Sequence, residues 1–214
     1  MRNTGRAPLL TLDRTGEGRQ EPEPDLDEVA AKFRAAFEAL GLDLSDPNLV
    51  GTERRVARAY RELFAGLYAG SAPELRTFAN TEGYSEMVAV TDIPFHSLCA
   101  HHLLPFFGTA HLAYLPGEKI VGLSKLARVV DFYARRPQIQ ERMTEQVVEL
   151  LVERLRPAGA MVVIQARHSC MEMRGVAKAG AVTTTSAVRG VFDEQRTRQE
   201  FLGLLGARRG SARL

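Results

Sequence analysis

Gly159-Ala160-Met161-Val162-Val163-Ile164-Gln165-Ala166-Arg167-His168-Ser169-Cys170 is the stretch that decides the fold. Its apolar, partly β-branched run Met161–Ile164 reads as a buried strand, and the strand leads directly into His168-Ser169-Cys170. Upstream the periodicity changes. Met143, Val147, Leu150 and Leu151 recur at helical spacing up to Pro157, and Leu126, Val129, Val130 and Tyr133 do so up to Pro137. Further upstream, Met87–Val90 and His111–Leu115 read as strands, and Gly117-Glu118 suits a turn into Ile120-Val121. Downstream, Thr183–Val191 is a β-branched strand punctuated by Gly190, and Phe201, Leu204 and Leu205 mark a short final helix. Helices inserted between strands, with strands on both sides, predict an α+β fold in which helices layer a sheet.

The flanks differ from this core. Residues 1–24 balance Arg2, Arg6, Arg14 and Arg19 against Asp13, Glu17, Glu21 and Glu23, with Pro22 and Pro24. Such a segment buries too little apolar surface to offset its ordering entropy, so a disordered tail is expected. Residues 25–70 read as a helical arm. Asp25 and Glu28 are placed as an N-cap and its partner ahead of Val29, Phe33, Phe37 and Leu40, Gly41 ends that helix, and a second begins near Thr52. A single core domain is expected over 71–205, and a frayed basic end over 206–214. The chain's 214 residues are 45% hydrophobic and 25% charged, which excludes wholesale disorder. A net charge of +2 does not argue for nucleic acid or a membrane surface. No apolar run approaches the ~18–20 residues that span a bilayer, and no hydrophobic leader opens the chain. Two cysteines are no disulfide framework. A cytoplasmic protein is expected.

The scarce residues carry the chemistry. Of five histidines and two cysteines, most fall in Cys99-Ala100-His101-His102 and His168-Ser169-Cys170. Cys99 and His102 have a C-x-x-H spacing that lets one turn present a thiolate and an imidazole to one ion, and Cys170 offers a third donor. A Cys2His set suits zinc and leaves a fourth position for water. His101 and His168 are then candidate proton carriers, although spacing alone leaves open which histidine binds and which shuttles protons. A cationic group accompanies them. Ser124, Lys125 and Arg128 sit at a helix N-terminus, an anion-binding end, and Arg174, Arg55 and Arg58 are further candidates. Gln140 and Glu141 open the longest helix, where a carboxylate either complements the helix dipole or accepts two hydrogen bonds from a guanine edge. The sum is a hydrolytic zinc site beside an oligophosphate-sized cationic site, which favours a nucleotide substrate.

Ser97-Leu98-Cys99-Ala100-His101-His102-Leu103-Leu104-Pro105-Phe106 resembles the zinc motif of GTP cyclohydrolase I. Gly122-Leu123-Ser124-Lys125, Arg136-Pro137-Gln138-Ile139-Gln140-Glu141-Arg142, His168-Ser169-Cys170-Met171 and Thr183-Thr184-Thr185-Ser186 are similar to the same family's other signatures, in family order. The resemblance spans roughly residues 25–205 and implies the tunnelling fold. That fold is an antiparallel sheet with helices on one face, closing with other subunits into a barrel of five that stacks into a decamer. It implies zinc on Cys99, His102 and Cys170, and attack of water on C8 of guanine, with His168 protonating the ring nitrogen and His101 assisting. Formate loss, rearrangement and reclosure would give 7,8-dihydroneopterin triphosphate. Glu141 with Gln140 would read the guanine, and Ser124, Lys125, Arg128 and Arg174 would hold the triphosphate, with Arg55 and Arg58 as weaker candidates. Active sites in this family lie between subunits.

Two positions depart from the family pattern. Ala100 stands where the family usually has Glu, which removes a carboxylate worth about 10–100-fold when it supports a metal site. Glu53 stands where Pro is common, a change that a helix's first turn tolerates. The rival reading that Ala100 raises is a paralogue that binds zinc and nucleotide without turnover. A third reading is an enzyme that stops at a ring-opened product or takes another purine or pterin.

Overall fold

The computed structural model describes residues 22–68, 70 and 73–211. The expected disordered tail therefore lies, for residues 1–21, outside the described residues. The first helix, α1 (Leu26–Ala39), is capped by Asp25, whose Oδ1 accepts from the backbone N–H groups of Asp27 and Glu28 at 3.0 and 3.2 Å. Glu28 does not complete a capping box but bonds Lys32 one turn on. Gly41, at φ 84°, follows the helix end in the left-handed conformation that glycine adopts without strain. Helix α2 (Thr52–Leu63) packs on α1 through Phe33 and Tyr60, with ring centroids 5.4 Å apart. Glu53 is buried there, with Oε1 3.7 Å from Arg34 of α1.

A 3₁₀ turn at Ala65–Leu67 joins this arm to the body. Arg136 makes the joint. Its guanidinium, 1% exposed, donates to the carbonyls of Gly66 and Phe132 and lies 4.2 Å from the centre of the Phe132 ring. Burial lowers its pKa to about 10.

The body is a five-stranded sheet. Strand β1 (Thr77–Ala79) belongs elsewhere; β2 (Val88–Cys99) and β3 (Pro105–Leu115) form a long antiparallel pair. Then come β4 (Lys119–Val121), α3 (Leu123–Ala134), the two-residue β5 (Pro137–Gln138), α4 (Gln140–Leu155) and β6 (Gly159–His168). The chain closes with α5 (Ser169–Glu172), β7 (Thr183–Gly190), a 3₁₀ turn at Val191–Asp193 and α6 (Gln195–Ser211). The sheet order is β5-β2-β3-β6-β7, antiparallel except where β5 meets Leu98 and Cys99. The turn at Gly117-Glu118 does not make a hairpin, because β4 leaves β3 and pairs with β1 in a separate two-stranded sheet. The last helix runs past Gly206, where the sequence places its end, to Ser211.

Strand alternation sorts the side chains onto two faces. Ala110, Leu112 and Tyr114 of β3 and Ala160, Val162, Ile164 and Ala166 of β6 meet Leu126, Val130, Met143, Val147 and Leu151 of α3 and α4 in the main core. A bulge keeps β2 in phase: three β2 steps from Val90 to Ile93 span two on β3, so both residues still face the helices. Asp92, at φ 58° inside that bulge, donates its N–H to Nδ1 of the buried His111 at 3.1 Å. The expectation of helices on one face describes α3 and α4. On the other face, Ala113, Met161 and Val163 pack with Phe192 and Phe201, so α6 covers part of that side too.

Candidate metal centre

The turn from β2 to β3 is closed by its own backbone. Leu103 N–H donates to Cys99 O at 2.8 Å, Cys99 N–H to Leu104 O at 2.9 Å, and Leu103 takes φ 52°. This compact turn puts Cys99 and His102 on one side. Strand β6 lies next to β3, with His168 opposite Phe106, so the chain leaving β6 delivers Cys170 to the same place. One donor atom from each of Cys99, His102 and Cys170 lies within 4.8 Å of the other two. The open choice between histidines is thereby narrowed: His102 joins the group, while His101 sits beside it with Nδ1 3.7 Å from the Cys99 sulfur.

The donor chemistry fits a cation. Burial, and then the neighbouring Cys99 sulfur, push the Cys170 thiol above its ordinary pKa. A bound metal ion removes that penalty on Cys170, because a coordinated thiol is deprotonated outright. Arg174 adds a charge at the rim, donating to Nε2 of His102 at 2.9 Å. Arg167 grips Glu172 with two bonds of 2.7 and 2.8 Å, and Glu172 also accepts the N–H of Gly180, which folds the segment bearing Arg174 back toward β6.

His168 ends the row Ile164, Ala166, His168 on the helix-covered face. Its ring stacks parallel on Phe106 with centroids 4.7 Å apart, and its Nε2 lies 2.8 Å from Oε1 of Gln140. Burial lowers its pKa, opposed by the charges of Glu141 and Glu172. Gln140 is 2% exposed and its amide is engaged within the chain. That amide is taken up inside the fold, whereas Glu141 stands next to it in the first turn of α4. Phe106, Thr144 and Thr185 are partners that residue scarcity does not flag. Phe106 ends the Ser97–Phe106 motif and shares its parity with Ala110 and Leu112 of the core.

The remaining sequence-predicted residues are not gathered here. Ser124 and Lys125 lie in the first turn of α3, next to Val121, whose N–H donates to the Tyr114 hydroxyl near the end of β3. The metal group lies at the other end of β3, and eight residues of strand between Phe106 and Tyr114 span roughly 25–30 Å. Arg128 lines an open cleft of about 470 Å³ with Gly66, Glu74, Asp131 and Arg135. Arg55 donates to the Val50 carbonyl and the Thr52 hydroxyl, bracing the start of α2, and Arg58 lies exposed on the same helix. Ala100 is half-buried in the metal-bearing turn and donates its N–H to Gln138 O at 2.8 Å.

The profile of the GTP cyclohydrolase I family matches residues 29–206, which include every one of these side chains. This chain belongs to the GTP cyclohydrolase I family. Relatives carrying the name GTP cyclohydrolase 1 are similar over most of their length. That of Mycolicibacterium gilvum (strain PYR-GCK) is 51% identical over 187 residues, 85% of this chain and 92% of its own. That of Carboxydothermus hydrogenoformans is 50% identical over 184 residues, 85% of this chain and 95% of its own. That of Geobacillus kaustophilus is 49% identical over 188 residues, 87% and 100% of the two chains. Among solved structures, an archaeosine synthase QueF-Like superposes with a TM-score of 0.40 at 16% identity, covering 49% of this chain and 93% of that one. Family membership is consistent with the mixed α+β architecture. Among the described residues, no helix is long and apolar enough to cross a membrane.

Proposed function

We propose that this chain is a zinc-dependent GTP cyclohydrolase I that opens GTP at guanine C8, releases formate and recloses the product to 7,8-dihydroneopterin triphosphate in the cytoplasm. The observation that carries the reading is the Cys99, His102 and Cys170 group, with His168 held beside it and Glu141 at the adjoining helix N-terminus. Cys99, His102 and Cys170 hold the zinc, which when bound supplies Lewis acidity and an acidified water. His168 moves the proton at the ring nitrogen and His101 assists from the rim. Glu141 orients the guanine by accepting from its N–H edge. Arg174 binds phosphate from the metal side.

The rest of the cationic site comes from a neighbouring copy. Ser124, Lys125 and Arg128 belong to α3, whose N-terminus lies at the opposite end of the sheet from the metal group of the same chain, so one chain alone presents two half-sites. Two features support a ring that joins them. Among the described residues, β7 carries no strand on its outer side and β2 carries one only at Leu98 and Cys99, and such open edges invite pairing. Exposed apolar side chains also occur at both ends: Met173 and Val176 beyond the metal group, Tyr84 and Leu123 at the α3 end. Closure into pentamers that stack as a decamer satisfies both. GTP and further copies of the chain are the partners, with no role for nucleic acid or membrane.

The test is GTP turnover on metal-quantified protein, reading formate and the fluorescence of the oxidised pterin. About one zinc per chain with both products is expected. Zinc without formate would replace this reading by the non-catalytic paralogue that Ala100 raises, and a ring-opened product without pterin by the truncated reaction.

A further inference from the structure

We propose that Gln140 is a positioning residue that holds His168 as its Nε2–H tautomer and confines proton transfer to Nδ1. The argument is a hydrogen-bond count. The Gln140 side-chain nitrogen lies 3.0 Å from the Ile164 carbonyl, 3.1 Å from the Thr183 carbonyl and 3.1 Å from the Thr185 hydroxyl. The two carbonyls can only accept, so the amide nitrogen faces them, and the reverse orientation would set its oxygen against two carbonyl oxygens in a buried site. Oε1 is therefore the atom that meets His168, and it can only accept. The Nε2 of His168, 2.8 Å away, is consequently the donor.

The clasp is braced on every side. Thr144 donates its hydroxyl to Gln140 O at 2.8 Å and lies 2.6 Å from the Thr185 hydroxyl, which locks the first turn of α4 onto β7. Phe106 fixes the plane of the imidazole by stacking. Among the described residues, Nδ1 of His168 has no hydrogen-bond partner, so it is the ring nitrogen left for a substrate.

The consequence is economy of motion. A cationic His168 carries protons on both nitrogens. When Nδ1–H passes its proton to a substrate nitrogen, the ring becomes neutral and still holds Nε2–H on Gln140. The same bond serves both charge states, so neither a ring flip nor a tautomer exchange intervenes between successive proton transfers.

The link to turnover rests on the GTP cyclohydrolase reading, whereas the tautomer does not, and the experiment separates the two. Full-length, zinc-loaded protein labelled with ¹⁵N-histidine is measured by solid-state NMR with the ring neutral, and His168 is assigned by difference from His168→Asn. Nε2 in the protonated, pyrrole-type range and Nδ1 in the unprotonated range are expected. The opposite pattern, or a mixture, overturns the inference whether or not the protein turns over GTP. Kinetics supply the second arm. Gln140→Leu is expected to lower kcat about 10–100-fold with KM for GTP changed by less than about twofold. A raised KM with kcat retained would mean that Gln140 contacts the substrate instead. If Gln140→Leu fails to fold, the NMR measurement on the unaltered chain still decides.

Discussion

One methyl group added at Gly108 tests the packing on which the site depends. Gly108 lies on β3 opposite Ala166 of β6, two residues from both Phe106 and His168 in the register. A Cβ built there falls 1.8 Å from the backbone oxygen of Gln165 and 2.7 Å from the Ala166 Cα, and neither atom can rotate away. Contact at roughly 3.5 Å requires the strands to part locally by about 1.5 Å, which takes a bond of normal length out of hydrogen-bonding range. Losing the two ladder bonds that flank the position costs about 2–6 kcal/mol in a buried sheet. That is a large share of the ~5–15 kcal/mol that holds a domain together. Gly203 provides the control, since its Cβ would meet nothing within 4 Å on the exposed face of α6. There the same substitution should stabilise by roughly 0.5–1 kcal/mol through helix propensity. Urea unfolding of the zinc-loaded protein at fixed concentration, followed by circular dichroism, measures both. Gly108→Ala within about 0.5 kcal/mol of the unaltered chain, or Gly203→Ala as damaging as Gly108→Ala, would refute the reasoning.

Three further outcomes are expected. Cys170→Ser weakens the Cys2His set, so zinc per chain measured by elemental analysis falls well below one and formate release falls with it; full zinc with full activity would contradict the assignment. Ala100→Glu leaves zinc content unchanged and raises kcat within the ~10–100-fold that a supporting carboxylate contributes, as a formate assay would show, while a loss of zinc would mean that the half-buried position has no room for the longer side chain. Arg167→Leu frees Glu172, so the Gly180 amide, held by the Glu172 carboxylate at 3.2 Å, exchanges its hydrogen faster. Arg167 holds the Glu172 carboxyl below its ordinary pKa, so in the unaltered chain this protection is present at neutral pH and is lost as pH falls through that lowered value.

Much of this was legible from the chain alone, for identifiable reasons. Period-2 and period-3.6 patterns mark elements because burial acts on one face at a time, so Met161–Ile164 and Leu126–Tyr133 are visible without coordinates. Gly41 and Asp25 announce helix ends because their demands are local. The candidate metal ligands stand out because cysteine and histidine are scarce and the C-x-x-H spacing closes within a single turn. Ala100 is visible as a departure only through the resemblance to the family, whose motif usually has Glu there. The β1–β4 pairing and the placement of α6 on the second face were not legible, since neither strand length nor helix periodicity names a partner.

The polar residues of α3 and α4 show where sequence stops. Ser124, Lys125, Arg128, Gln140 and Glu141 read as one substrate-facing set, because helix N-termini and donors of that kind bind anions and bases wherever they occur. Their fates depend on which end of the sheet each helix meets. Gln140 is turned inward by two strand carbonyls and a threonine, and becomes the anchor of His168. Ser124 and Lys125 are carried to the opposite end of β3 from Cys99. Residue order alone marked the longer helices and strands, the candidate donors Cys99, His102 and Cys170 and the family, because those rest on local periodicity, rare residue types and motif order. The tertiary structure alone decided which donors converge and which polar groups are already engaged, because a hydrogen bond between Gln140 and His168 exists only once β6, β7 and α4 have been packed together.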